Sequence, residues 1–95
     1  MHIREFQEMM RRLYFKRDSE RGIKGTYDWL VDEVEELKEA LEKGDKEETK
    51  KEFADVIAWL ASLANITGID LENAAENTTT NAQNAAIRLA NALSS

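Results

Sequence analysis

The chain has 95 residues, a formal net charge of -6, and neither cysteine nor proline. This length predicts one domain, residues 1–95, whose small size leaves apolar surface uncovered unless chains associate. The lack of cysteine excludes disulfides and thiolate zinc sites, and the acidic balance argues against a binder of duplex nucleic acid. The start of the chain is charged and its longest nearly apolar run, residues 56–64, is short, so we expect a cytoplasmic protein with no membrane partner.

Four helices are predicted, because apolar residues recur at helical spacing in four stretches of the chain. The first stretch covers residues 3–15, and the second begins at Thr26, its expected N-cap, and ends at residue 43. Residues 16–25 between them are expected to form a loop. This segment is basic within an acidic chain and carries Lys16, Arg17, Arg21 and Lys24.

The second and third helices are expected to form an antiparallel hairpin, because Gly44 is a typical helix stop and Asp45 a typical N-cap. The residues expected to face its core are Leu30, Val34, Leu37 and Leu41, then Phe53, Val56, Ile57, Leu60, Leu63 and Ala64. The third helix ends near Thr67. The last begins after Gly68, is capped by Asp70 and ends near residue 92. Its inward face, Leu71, Ala75, Thr78, Ala82, Ala85 and Leu89, buries little apolar area and favours subunit contacts.

Four carboxylates lie symmetrically about Gly44. Glu33 and Glu36 precede the glycine, and Glu52 and Asp55 follow it at equal separations. With about 100° between successive residues of a helix, all four fall on the same flank of the hairpin. Such a cluster is either spread by solvent or neutralised by a hard cation such as Mg²⁺, which prefers oxygen ligands.

Two tryptophans, Trp29 and Trp59, lie on the same flank, about one helical turn farther from the hairpin end. Each either packs between the helices or offers a flat ring to a nucleobase. The basic segment 16–25 is either simply solvated or in contact with phosphate groups. His2 is the only histidine, which argues against a ferritin-like di-iron centre, since that centre needs a histidine from each of two helices.

The residues Asp32-Glu33-Val34-Glu35-Glu36 and Glu52-Phe53-Ala54-Asp55 resemble the EExxE and ExxD signature of the MazG-like nucleotide pyrophosphohydrolases, in the all-α NTP pyrophosphatase superfamily. The similarity extends over about half of the chain and includes the Gly68-Ile69-Asp70-Leu71 run. It implies an all-α, four-helix MazG-like bundle, completed by oligomerisation as a dimer or tetramer. It also implies a need for Mg²⁺ or Mn²⁺ and cleavage of a nucleoside triphosphate to the monophosphate and pyrophosphate.

The resemblance also assigns roles to the acidic residues. The metal ligands are Glu33, Glu36, Glu52 and Asp55, in agreement with the flank they share. Either Glu33 or Glu36 is the candidate that orients and deprotonates the attacking water. Asp32 departs from the family, which usually has glutamate there, and its position on the helix points away from the other four.

The last helix departs further from the family pattern. Asn81 matches an asparagine of the family, but Asn77 and Asn84 stand where many relatives carry basic residues that contact phosphates. Arg88 or the basic segment 16–25 is then expected to supply the positive charge. Two other functions stay open. One is phosphoribosyl-ATP pyrophosphohydrolase, although its usual histidine after ExxD is absent; the other is a non-catalytic helical module that binds a metal or a partner.

Overall fold

Three helices make up the computed structural model, which describes residues 1–94. They are α1 (Ile3–Lys43), α2 (Lys46–Thr67) and α3 (Leu71–Ser94), and no strand occurs within these residues. The all-α prediction is therefore confirmed, whereas the four expected helices appear as three. Across the described residues no single helix is both long and apolar enough to cross a membrane, and α2 and α3 meet that test only as a pair bent by 100°.

Helix α1 is broken at Gly22, which has φ 83° and ψ 174°. This backbone conformation is essentially restricted to glycine. The residues on both sides are helical, so the predicted loop at 16–25 is wrong, and its basic residues lie on the helix. Thr26 is likewise not an N-cap, because it lies inside α1, where it is fully buried. The two expected N-terminal helices are thus one helical element with a sharp break.

We expect Gly22→Ala to destabilise the protein by about 1–3 kcal/mol, because alanine is strained at this φ and ψ. The cost is conformational, since an added Cβ meets no other atom within 4 Å. Urea unfolding followed by circular dichroism measures the change. Ser19→Ala, at an exposed helical position of the same element, is the control and should stay within about 0.5 kcal/mol of the parent. A Gly22→Ala protein as stable as the parent would contradict the strain.

The turn between α1 and α2 confirms the predicted hairpin. Gly44 adopts the left-handed conformation, with φ 70° and ψ 20°, and its N–H donates to carbonyl oxygens of the last turn of α1. The Asp45 carboxylate accepts hydrogen bonds from the backbone N–H groups of Glu47 and Glu48, at 3.1 and 3.2 Å. These local contacts satisfy helix ends that would otherwise lack partners, and they set α2 antiparallel to the second half of α1.

The turn between α2 and α3 is held by the N-terminal part of the chain. Gln7 is buried, and its Nε2 donates to the carbonyl oxygen of Ile69 at 2.7 Å and to the side chain of Asn65 at 3.0 Å. Its Oε1 accepts from the N–H of Leu71 at 2.9 Å. The side chain of Arg4 adds ion pairs to Asp70 and Glu72. Together these contacts fix the direction in which α3 leaves α2.

The apolar core of the chain is small. Among the described residues the buried apolar side chains are Met10, Ala40, Ala61 and Ala64. Several residues expected to face the core are exposed instead, and they form the stripe Val34, Leu41, Phe53, Ile57 and Leu60 on the hairpin. The expected inward face of α3 is also exposed beyond Leu71. The reason is that α3 turns away by 100° and does not cover the hairpin.

Candidate metal and nucleotide site

Three carboxylates converge between α1 and α2. One carboxylate oxygen from each of Glu33, Glu36 and Glu52 lies within 4.8 Å of the other two. Glu33 and Glu36 share a face of α1 because they are three residues apart, and the turn at Gly44 brings α2 back beside them. Asp55 is half-buried one turn along α2, and its charge acts on both Glu33 and Glu52. The structure therefore gathers three of the predicted ligands within one cluster and places the fourth beside it.

Burial and mutual repulsion make it harder to ionise this cluster. Burial raises the pKa of Glu33 to about 7, and a hydrogen bond and the negative charge of Glu36 add to the effect. Glu52 is only 4% exposed, and its pKa is raised first by burial and then by the charge of Glu36. In both cases the charged form loses solvation and meets like charges. Without a cation, the cluster therefore tends to retain protons.

The buried oxygens of this cluster fit a divalent cation. Oε2 of Glu33 and Oε2 of Glu52 are buried and have no hydrogen-bond partner within the described part of the chain. A buried acceptor left without a partner costs about 1–3 kcal/mol. A positive ion supplies the interaction that these oxygens lack. Because the donor set consists of carboxylates alone, it suits hard cations such as Mg²⁺ or Mn²⁺ rather than soft ones.

The two tryptophans pack against each other across the hairpin. The rings of Trp29 and Trp59 are stacked, with centroids 5.5 Å apart and an interplanar angle of 10°. The guanidinium of Arg21 lies over the Trp59 ring, 4.7 Å from its centroid. Of the two roles predicted for these residues, packing between helices is observed. Trp29 remains 50% exposed, so it also presents surface on this flank of the molecule.

The four basic residues of segment 16–25, which was expected to be a loop, lie in different environments on α1. Arg17 and Arg21 line a cavity beside Trp59. Lys24 points to solvent and pairs with Asp28 at 2.9 Å, and Lys16 is exposed. The positive charge beside Trp59 therefore comes from Arg17 and Arg21 rather than from the whole segment.

The predicted substrate residues of α3 lie apart from this site. Asn81 and Arg88 are exposed. Asn81 is about 15 Å along α3 from its start, and Asp55 is about 18 Å along α2 from its end, at 1.5 Å per residue. Because the two helices are bent by 100°, Asn81 and Arg88 do not approach the carboxylates of the same chain.

Sequence reasoning missed one residue next to the site. Asp18 is 2% exposed and pairs with Arg21 through its Oδ1 at 2.9 Å, while its Oδ2 is buried without a hydrogen-bond partner. The i, i+3 spacing of Asp18 and Arg21 was the only available signal, and such pairs are usually solvated. The predicted loop hid it, since the spacing has meaning only on a helix.

Comparison with models of known protein families identifies one family that matches the chain. The model of the MazG nucleotide pyrophosphohydrolase domain matches residues 21–84, well over half of the chain. A search of curated proteins finds no match. The matched range contains the four carboxylates and both tryptophans, while residues 1–20 lie outside it. The chain therefore belongs to the MazG nucleotide pyrophosphohydrolase family.

Proposed function

We propose that the protein is a Mg²⁺-dependent nucleoside triphosphate pyrophosphohydrolase that releases a nucleoside monophosphate and pyrophosphate. Membership of the family supports pyrophosphohydrolase chemistry in general. The observation that carries the more specific proposal is the convergence of Glu33, Glu36 and Glu52, two of which have buried oxygens without partners. A solvated acidic face would not bury such oxygens, because water would remain their partner.

In this proposal Glu33, Glu36, Glu52 and Asp55 hold the cation. When bound, Mg²⁺ offsets the repulsion between these carboxylates and the triphosphate and polarises the phosphate being attacked. An oxygen of Glu33 or Glu36 orients the attacking water and accepts its proton. The water oxygen bonds to phosphorus as the bridge between the α- and β-phosphates breaks, and pyrophosphate leaves. Arg17 and Arg21, which line the cavity beside Trp59, supply positive charge for the phosphates.

The reaction is tested by incubating the protein and Mg²⁺ with each common ribo- and deoxynucleoside triphosphate, and with phosphoribosyl-ATP. Pyrophosphate and monophosphate are measured together. Equal amounts of both support the proposal, whereas orthophosphate with a diphosphate means that the terminal phosphorus is attacked. Turnover of phosphoribosyl-ATP alone would assign the narrower alternative activity. No turnover of any substrate would favour the non-catalytic module.

We further propose that the functional unit is a dimer or tetramer in which a neighbouring chain covers the exposed stripe. The radius of gyration is 17.1 Å, compared with about 12–13 Å for a compact domain of this length. Leu41 and Phe53 line one open groove at the hairpin end, which continues the stripe across both helices. Since Asn81 and Arg88 do not approach the carboxylates of their own protomer, they would reach an active site only on a neighbouring chain.

Phe53→Glu is expected to shift the protein towards the monomer, because it places a charge on a surface that association would bury. Phe53 is 55% exposed in one protomer, so the protomer itself should tolerate the change. Light scattering at micromolar concentration measures the mass. Glu39→Gln, at an exposed position of α1, is the control and should keep the parent mass. A parent protein that is monomeric under these conditions would contradict the assembly.

A further inference from the structure

A cavity of about 240 Å³ lies beside the tryptophans, where residues from the N-terminal part of α1 meet α2. Trp59 and Tyr14 contribute aromatic walls, and Met10 and Ala58 contribute apolar ones. Asp18, Arg17 and Arg21 contribute charges. Apolar and aromatic walls with a few placed polar groups are typical of a site for a small organic molecule. The residues of the N-terminal wall, Met10, Tyr14, Arg17 and Asp18, lie outside residues 21–84.

The cavity and the carboxylate cluster lie along the same face of α2. Asp55, Ala58 and Ser62 are spaced at i, i+3 and i+7 along α2, so they share one face of that helix. Ala58 and Ser62 line the cavity, and Asp55 lies at the carboxylates. Seven residues of helix span about 10 Å. That separation suits the distance between the phosphates and the base of an extended nucleotide.

Asp18 is the one carboxylate among the residues that line this cavity, and it is 2% exposed. Oδ1 accepts a hydrogen bond from Nη1 of Arg21 at 2.9 Å, which holds the carboxylate in place. Nη1 of Arg21 is also 3.5 Å from Oγ1 of the buried Thr26. Oδ2 has no partner within the described residues. The structure thus holds, on a residue that lines the cavity, a buried carboxylate oxygen without a hydrogen-bond partner.

We propose that this cavity binds the base of the nucleotide, and that Asp18 selects bases carrying an exocyclic amino group by accepting an N–H hydrogen bond at Oδ2. An ionised carboxylate can only accept, so it favours an amino group and repels a carbonyl oxygen at the same position. The inference rests on the proposed function for the substrate class. It adds a specificity residue from the segment that the family match does not include.

Cytidine and uridine nucleotides provide the matched comparison, because at C4 one carries an amino group and the other a carbonyl. We expect kcat/KM for CTP to exceed that for UTP by about 10- to 100-fold, the range of one hydrogen bond to a charged group. Asp18→Asn should reduce this ratio to within about threefold, since an amide can donate as well as accept. Ser19→Ala, on the exposed side of the same helix, should keep the parent ratio.

A binding measurement separates this inference from the proposed reaction. CMP and UMP are titrated into the protein with Mg²⁺ and followed by tryptophan fluorescence, which needs no turnover. CMP should bind more tightly than UMP by a similar factor, and the difference should disappear in Asp18→Asn. Absence of hydrolysis with this difference intact would overturn the reaction but support the base site.

Three results would overturn the base site itself. One is a parent protein that treats CTP and UTP alike, which requires no variant. Another is an Asp18→Asn protein that folds, as judged by circular dichroism, and keeps the parent ratio. The third is an Asp18→Asn protein in which the kcat/KM ratio of CTP to dCTP changes while that of CTP to UTP does not. Asp18 would then accept a hydrogen bond from a ribose hydroxyl instead of from the base.

Discussion

Glu52→Gln is expected to lower kcat for nucleoside triphosphate hydrolysis by about 1000-fold or more. Glu52 is the most buried member of the carboxylate cluster, at 4% exposure, and glutamine keeps its shape while removing its charge. A metal ligand contributes several kcal/mol to stabilising charge in the transition state, and each 1.36 kcal/mol corresponds to a factor of ten. Because this contribution acts on the transition state, kcat should fall more than KM rises. Steady-state measurement of pyrophosphate release tests this.

Glu35→Gln provides the matched control, since Glu35 is exposed on α1 between the two ligands of that helix. It makes the same chemical change outside the cluster and should leave kcat within about twofold of the parent. Glu33→Gln should behave as Glu52→Gln does. If Glu52→Gln retained activity within tenfold of the Glu35→Gln control, the cluster would not be the catalytic centre.

The metal-free protein is expected to lose thermal stability as the pH rises from 5 to 8. The pKa of Glu33 is about 7 in the folded protein and has an ordinary value of 4.5. A raised acid pKa means that folding favours the protonated form, so its stabilising contribution is complete below pH 4.5 and is lost as the pH approaches 7. The raised pKa of Glu52 acts in the same direction. Calorimetry in the presence of a chelator should therefore show a falling Tm.

The expected decrease in Tm is at least about 5 °C. One pKa unit corresponds to about 1.4 kcal/mol, and 1 kcal/mol moves Tm by about 4–8 °C in a domain of this size. Glu33→Gln should flatten this dependence, because glutamine does not titrate. Mg²⁺ should raise Tm at pH 8 by binding only the folded protein, and Glu33→Gln should weaken that increase. A parent Tm that neither pH nor Mg²⁺ changes would argue against a crowded cation site.

The hairpin was predictable because short-range chemistry determines it. Gly44 and Asp45 specify a helix end and a helix start, and the i, i+3 spacing of each acidic pair specifies a shared face. Once the chain reverses there, the convergence of Glu33 and Glu52 follows from geometry. The break in α1 was not predictable in the same way. Gly22 and Gly25 look equally disruptive in the sequence, yet only Gly22 leaves the helical conformation.

The core was predicted less well, for a different physical reason. Periodicity reveals that one side of a helix is apolar, but it does not tell whether the same chain or another one covers that side. Phe53 and Ile57 belong to such a stripe and remain exposed in the single chain. Asp18 is buried at a cavity that it lines together with Ala58, Trp59 and Ser62 of α2, which are distant in sequence, and no local pattern reports such burial. The sequence therefore predicts the helices and the pairing of the acidic residues, but not which residues are covered by other parts of the protein.

The hydrogen bonds of Gln7 hold the start of a long helix, so they affect the position of its far end. Helix α3 has 24 residues and is therefore about 36 Å long. A change of only 10° in its direction at the turn would displace its far end by about 6 Å at that length. Small side-chain contacts near the first turn of the chain thus determine the position of residues more than eighty places away. The N-terminal segment, which lies outside the family match, therefore sets the direction of α3 and the positions of the residues on it.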